Sequence, residues 1–316
     1  MERTPNGYWV AEVDDAGPGT DYLFRLDGEM ECPDPRSLHQ PHGVHGPSRT
    51  VDLGSFHWTA ARFRPPPLSA ALIYELHVGT FTAGGTFESA IERLPHLRTL
   101  GVTHVEIMPV AEFLGDRGWG YDGVYPFAVH HAYGGPHGLA RLVDACHAEG
   151  LAVILDVVYN HFGPAGNYLP QFAPYLTERH RTPWGSAVNF DGPYSDDVRQ
   201  YFIDNARMWL DDYHMDGLRL DAIHAIVDTS AVPFLEQLGE EVRHWEAQLG
   251  RQLALIAESD LNDPRVVRHH ERDGFGFTAQ WNDDFHHAIH AALTRESHGY
   301  YGDFGSIDDV ACVFGR

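Results

Sequence analysis

The sequence predicts an α/β protein in which a parallel sheet is wrapped by helices. Short apolar runs alternate with helical patterns from about residue 70 onward, the runs are apolar on both faces, and long aromatic and polar insertions follow two of them. Two-sided apolar strands are what a sheet buried on both faces requires.

Residues 1–64 stand apart. "GYWVAEV" and "DYLFRLDG" alternate apolar and polar residues around the turn-like "DDAGPGT", which predicts a small β module. "RFRPPPLS" (62–69) is stiff and proline-rich, so the boundary falls at 64/65 and residues 65–316 form the larger unit. In that unit strands are predicted at 71–78, 103–110, 151–158, 216–223, 252–259 and 277–283. Helices are predicted at 86–101, 137–150, 195–214, 232–250, 263–274 and 284–297. The insertions at 111–135 and 159–194 follow the C-terminal ends of the second and third strands, where a TIM (β/α)8-type barrel builds its active site. No GxGxxG follows a strand, which removes the main support for a doubly wound dinucleotide fold. About six of the eight strand–helix units of a barrel are present.

The 316 residues include 22 basic ones, all arginine, against 45 acidic ones, for a net charge of −23. That balance argues against a nucleic-acid partner, which needs a phosphate-neutralising patch, and against an anionic membrane surface. "MERTPNGYWV" lacks the basic start and apolar core of a signal peptide, and no apolar run approaches membrane length. Cys32, Cys146 and Cys312 are odd in number and show no CxxC spacing, so free thiols in a cytoplasmic protein are expected.

Chemistry concentrates at strand ends. In "DGLRLDAIH" (216–224) Arg219 and Asp221 fall on the same side of the fourth strand, near its C-terminal end. A guanidinium holds a neighbouring carboxylate charged and oriented, as a nucleophile needs, although an isolated RxD is also the pattern of a structural ion pair. "LIAESD" brings Glu258 to the end of the adjacent fifth strand. Two carboxylates about 5–5.5 Å apart are the equipment of a retaining glycosidase. The apolar residues before Glu258 predict partial desolvation, which suits a general acid.

"DVVYNHFGP" adds Asp156 as an anchor for Arg219, with Asn160 and His161 in reach of a sugar hydroxyl, though a lone histidine there is also read as structural. In "RGWGYDGVYPF", Trp119, Tyr121 and Tyr125 offer flat faces for pyranose rings or serve local packing. His286, His287 and His290 lie at helical spacing beside Asp283 and Asp284 but form no HExxH pattern, so no metal and no cofactor are expected. Asp284 is read as the N-cap of the sixth helix and Asp283 as a sugar-binding group at the strand end.

"DVVYNH", "DGLRLDAIH" and "LIAESD" resemble the first three conserved regions of the α-amylase superfamily. "IYELHVGTF", "IMPVAEFLGDRGWGYDGVYPF", "TPWGSAVNFDGP" and "AESDLNDPR" narrow the resemblance to its malto-oligosyltrehalose trehalohydrolases, from about residue 20 to the end of the chain. The resemblance implies Asp221 as nucleophile and Glu258 as general acid/base, with Tyr121, Asp156, His161 and Arg219 around the sugar being cleaved. It implies a malto-oligosyltrehalose or maltodextrin substrate, cut at the α-1,4 bond next to the terminal trehalose.

His224 stands where glycogen branching enzymes usually have a small residue, which favours the trehalohydrolases over a 1,4-α-glucan branching enzyme. A carbohydrate-binding protein without turnover is the alternative from another class. The resemblance further implies that residues 1–64 are part of a β-sandwich. It also implies a piece cut at both ends, without the last two strands and a third catalytic carboxylate. Such a piece is expected to be poorly soluble and slow.

Overall fold

In the computed structural model, which describes residues 1–5 and 8–314, six parallel strands form one curled sheet. They are β1 (Ile73–Leu76), β2 (His104–Ile107), β3 (Ala152–Val157), β4 (Gly217–Leu220), β5 (Ala254–Ser259) and β6 (Ala279–Asn282). Each pairs in parallel with its neighbour in the chain, so the order is β1 to β6 without a reversal. That order is barrel topology, since a doubly wound sheet would change direction at a switch point. The sheet fills six of the eight strand positions of a TIM barrel, with β1 and β6 at its edges among the described residues.

Strand alternation sorts the side chains into two sets. Val105, Ile107, Val153, Leu155, Leu218, Leu220 and Leu255 are buried in the main core on the outer face. The helices cover that face, contributing Leu97, Leu142, Phe202, Leu238 and Trp245 among others. Burial of each such side chain contributes about 1.5–3 kcal/mol. The other set shares the inner face. Glu75 pairs in register with Glu106, Asp156 with Arg219, and Glu258 with Trp281. A row of charged groups therefore runs across the inside of the sheet and ends at the C-terminal mouth.

The helices follow prediction except at three points and in the last part of 195–214, where Met208–Asp212 is a π-helical turn. The run 86–101 divides into α1 (Phe87–Ile91) and α2 (Leu94–Thr99), with Pro95 in the first turn of α2, where its missing N–H costs nothing. Next come α3 (Gly135–Ala148), α4 (Ser195–Arg207) and α5 (Phe234–Leu249). The run 263–274 forms no α-helix, only a 3₁₀ turn at His270–Arg272. The carbonyls of Arg265, Val266 and Arg268 accept from Phe275, Phe277 and Gly276, and so are diverted from helical bonding. A Cβ on Gly274 would stand 2.0 Å from the Arg268 oxygen, so glycine permits that return of the chain.

The third point is α6 (Asp283–Thr294), whose N-cap is Asn282 and not Asp284: the Asn282 side chain accepts the Phe285 N–H at 2.9 Å. Asp284 lies in the first turn, where a carboxylate complements the positive helix end.

The N-terminal residues form three short antiparallel pairs: Glu2–Arg3 with Trp9–Val10, Asp21–Tyr22 with Ser48–Arg49, and Phe24–Leu26 with Met30–Cys32. The strands are shorter than the predicted runs, and Gly7 of the first run lies outside the described residues. Residues 33–49 rest on the barrel, with Tyr201 donating to the Pro35 carbonyl (2.8 Å) and Tyr125 to that of Val44 (2.9 Å). Among the described residues no helix is long and apolar enough to cross a membrane.

Candidate active site

Arg219 is the centre of the mouth. Its Nη1 donates to both oxygens of Asp156 (2.9 and 2.8 Å) and to Asp221 Oδ1 (3.1 Å). Its Nη2 lies 3.4 Å from Glu258 Oε2. The predicted pair is thus one guanidinium among three carboxylates, delivered by the ends of β3, β4 and β5. Asp156 is fully buried, whereas the side chains of Asp221 and Glu258 keep 13% and 26% of their exposure. Those two are the carboxylates a ligand can reach.

Asp221 stands one residue beyond β4 and is fixed from both sides. Its N–H donates to the Val157 carbonyl (3.0 Å), and Asn160 Nδ2 donates to its Oδ2 (2.8 Å) and its carbonyl (2.7 Å). Ala222 then adopts the left-handed conformation, φ +40°, which turns the chain away from the strand. Its N–H donates to Glu258 Oε2 at 2.6 Å. Glu258 is therefore partly withdrawn from solvent, with polar neighbours at its carboxylate.

Asn160 is buried with its amide engaged by Asp221, so it holds that carboxylate. Asp156 anchors Arg219 and accepts from the Tyr121 hydroxyl, with none of its side chain exposed.

Tyr121 arrives on the insertion after β2. Gly120 has φ +96°, and a Cβ there would sit 2.2 Å from the Pro109 oxygen, so the loop can press against that backbone. The Tyr121 hydroxyl then donates to Asp156 Oδ2 at 2.9 Å. Its carbonyl meets His161 Nε2 at 2.9 Å, and His161 Nδ1 bonds Asn160 Oδ1.

The His161 ring stacks on Trp184, centroids 4.7 Å apart and planes within 10°. Trp184 is half exposed at the tip of the hairpin formed by Leu176–Thr182 and Gly185–Val188. Sequence reasoning missed it; the available signal was a lone tryptophan in the turn "TPWG". Trp119 is exposed, while Tyr125 is buried beside Val44 and Val124 and serves packing. His224 is partly exposed, with Nδ1 3.6 Å from Asp260. Asp283 is half-buried at the start of α6, and among the described residues no hydrogen bond joins it to the Arg219 cluster.

Burial pushes the Asp156 carboxyl up, and the Arg219 charge opposes that push. Burial also works against the Arg219 charge, but Asp156, Glu258, Tyr121 and Asp221 together hold its pKa above the ordinary range. The short contacts from Nη1 to Asp156 are those of a charged pair. Burial, then the Asp156 charge, raises the Tyr121 phenol.

Behind this layer lies Glu106 on β2, which sequence reasoning also missed although an acid inside "THVEIMPV" was the signal. It is buried, and its Oε2 has no hydrogen-bond partner. Burial raises its pKa to about 7 against the opposing charge of Arg219. The histidines of α6 pack on aromatic rings: His287 stacks on Tyr300 and His290 on Tyr301, with His290 Nε2 2.8 Å from Glu296.

A curled parallel sheet with paired carboxylates and an arginine at its C-terminal mouth gives the chain the fold of an α-amylase catalytic domain. Residues 50–180 match the family described as alpha amylase, catalytic domain. A crystal structure titled as a putative alpha amylase from Salmonella typhimurium superposes with a TM-score of 0.86 at 44% identity, covering 93% of this chain and 50% of that one.

The more specific relatives are malto-oligosyltrehalose trehalohydrolases. That of Arthrobacter ramosus is 53% identical over 100% of this chain and 55% of its own length. That of Saccharolobus solfataricus is 50% identical over 98% and 54%. The chain thus spans about half the length of the curated relatives it matches. A 1,4-alpha-glucan branching enzyme GlgB of Geobacillus stearothermophilus is more distant, at 30% identity over 89% of this chain and 48% of its own.

Proposed function

We propose that this chain carries the nucleophile and the acid/base of a retaining glycoside hydrolase that releases trehalose from malto-oligosyltrehalose. The observation that carries the reading is the attachment of Asp221 and Glu258, from adjacent strand ends, to one guanidinium at an open mouth. Asp221 attacks the anomeric carbon while Glu258 gives its proton to the departing glycosidic oxygen. Glu258 then takes a proton from water, which displaces Asp221 and frees the sugar. Asp156, Asn160 and Arg219 orient the nucleophile, His161 and Trp184 provide a flat wall for a ring, and Tyr121, His224 and Asp283 contribute to substrate binding. Residues 1–64 are an appended β-sandwich module and 65–316 the catalytic barrel unit. The cysteines, two buried and one exposed and all free, accord with a cytoplasmic location.

The test uses maltotriosyltrehalose with two proteins: the chain itself, and the chain joined to the part of the Arthrobacter ramosus relative that the match leaves uncovered. Free trehalose with little glucose is expected, and more of it from the joined protein. New α-1,6 branches from amylose would move the assignment to a glucan branching enzyme. Binding of maltodextrin without turnover by either protein would leave a carbohydrate-binding role.

A further inference from the structure

We propose that Glu112, His130 and His131 form a site for one divalent cation of the zinc class, and that it clamps the loop carrying Tyr121. The insertion after β2 leaves through Ala111–Glu112 and returns through Tyr125–Val129, which pair antiparallel. Glu112 is at the exit, the two histidines are at the return, and Tyr121 lies between them. One ion held by both ends would fix the loop at its base.

The donor atoms are already gathered. Glu112 Oε1 is 2.7 Å from His131 Nδ1, Glu112 Oε2 is 3.3 Å from His130 Nδ1, and all three groups offer atoms within 4.8 Å of one another. Zinc bonds of about 2.0–2.1 Å at tetrahedral angles put ligand atoms about 3.3 Å apart. The His130 contact has that spacing, and the His131 contact reaches it by opening roughly half an ångström. Two imidazoles and a carboxylate leave a fourth position for water.

Two observations point to a ligand beyond hydrogen bonding. His130 and Glu112 are fully buried, yet neither ring nitrogen of His130 has a hydrogen-bond partner. Buried polar atoms rarely stay unpaired, and a ring nitrogen 3.3 Å from a carboxylate oxygen without a hydrogen bond between them is spaced to share a cation with it. The outer side of His131 is also equipped, since its Nε2 lies 3.3 Å from Asp116 Oδ1. A metal-bound imidazole ordinarily gives its second N–H to such a carboxylate. His269, His270 and Glu271 also gather three donors within 4.8 Å, but in one surface turn without an unpaired buried nitrogen, which makes them a control.

The test is titration of zinc into tag-free 1–316 against a chromophoric chelator, with cobalt(II) as the spectroscopic probe. One equivalent per chain with Kd below about 1 μM and a tetrahedral cobalt spectrum is expected. His130→Asn should remove it, and His269→Ala should leave it unchanged. If His130→Asn misfolds, Asp116→Asn decides, because that exposed side chain touches the site only through His131. It should weaken zinc at least about tenfold with the circular dichroism spectrum unchanged. Absence of a submicromolar equivalent, or equal affinity in Asp116→Asn, overturns the proposal and leaves a buried histidine beside a carboxylate.

Discussion

Glu258 accepts the N–H of Ala222 at 2.6 Å, and Ala222 is the residue that follows Asp221. The two carboxylates are therefore registered to each other by one peptide as well as by Arg219. Glu258→Gln keeps the size and an acceptor for that N–H but cannot deliver a proton. Turnover of maltotriosyltrehalose should fall at least about a hundredfold, while a substrate with a leaving group that needs no proton should still show a glycosylation burst. Equal loss on both substrates would exclude Glu258 as the acid.

Asp221→Asn preserves volume and the bond from Asn160. Trehalose release should drop at least about a thousandfold, roughly 4 kcal/mol in barrier, with maltodextrin affinity within about tenfold as read by tryptophan fluorescence. Ordinary turnover in this variant would remove Asp221 from the role of nucleophile.

Glu106 makes stability depend on pH. Its carboxyl has a pKa of about 7 in the fold, against an ordinary 4.5, chiefly through burial. Between those values the folded chain keeps a proton that the unfolded chain has released, so the contribution of this group is fully present below pH 4.5 and is lost as pH rises through 7. The decline attributable to this group is at most about 3 kcal/mol. Glu106→Gln should gain stability relative to the parent between pH 5 and pH 8, read from urea midpoints. A constant difference across that range would refute the assignment.

The outer edge of β1 carries exposed Leu72 and Tyr74, and the N–H and C=O groups there have no strand partner among the described residues. Purified 1–316 should self-associate with rising concentration in sedimentation velocity, and Tyr74→Lys should reduce it. A monomer at all concentrations would show that the edge is covered.

The sheet was legible because strands buried on one face by helices and lining a mouth on the other leave compact apolar runs of distinctive spacing. Arg219, Asp221 and Glu258 followed from simple alternation. The run 263–274 misled because its residues favour helix locally, while its carbonyls are claimed by residues 275–277 that no local pattern reveals. Asp156 was legible as the anchor of Arg219, whereas Asn160 was seen as a group in reach of a sugar, and its bond to Asp221 depends on how two strand ends meet. Glu112, His130 and His131 have no motif spacing, since the whole Tyr121 loop separates the acid from the histidines. Only strand pairing joins them.

One guanidinium among Asp156, Asp221 and Glu258 leaves the mouth with surplus negative charge, inside a chain already at −23. A neutral glucan enters such a field without hindrance, and the cationic character that a sugar ring acquires as its glycosidic bond breaks is drawn to it. A phosphorylated sugar meets repulsion at the same place, and because the cluster is largely buried, physiological salt does little to mask it. The arrangement that holds Asp221 in place thus also acts on charge, favouring a neutral ligand over an anionic one at this mouth.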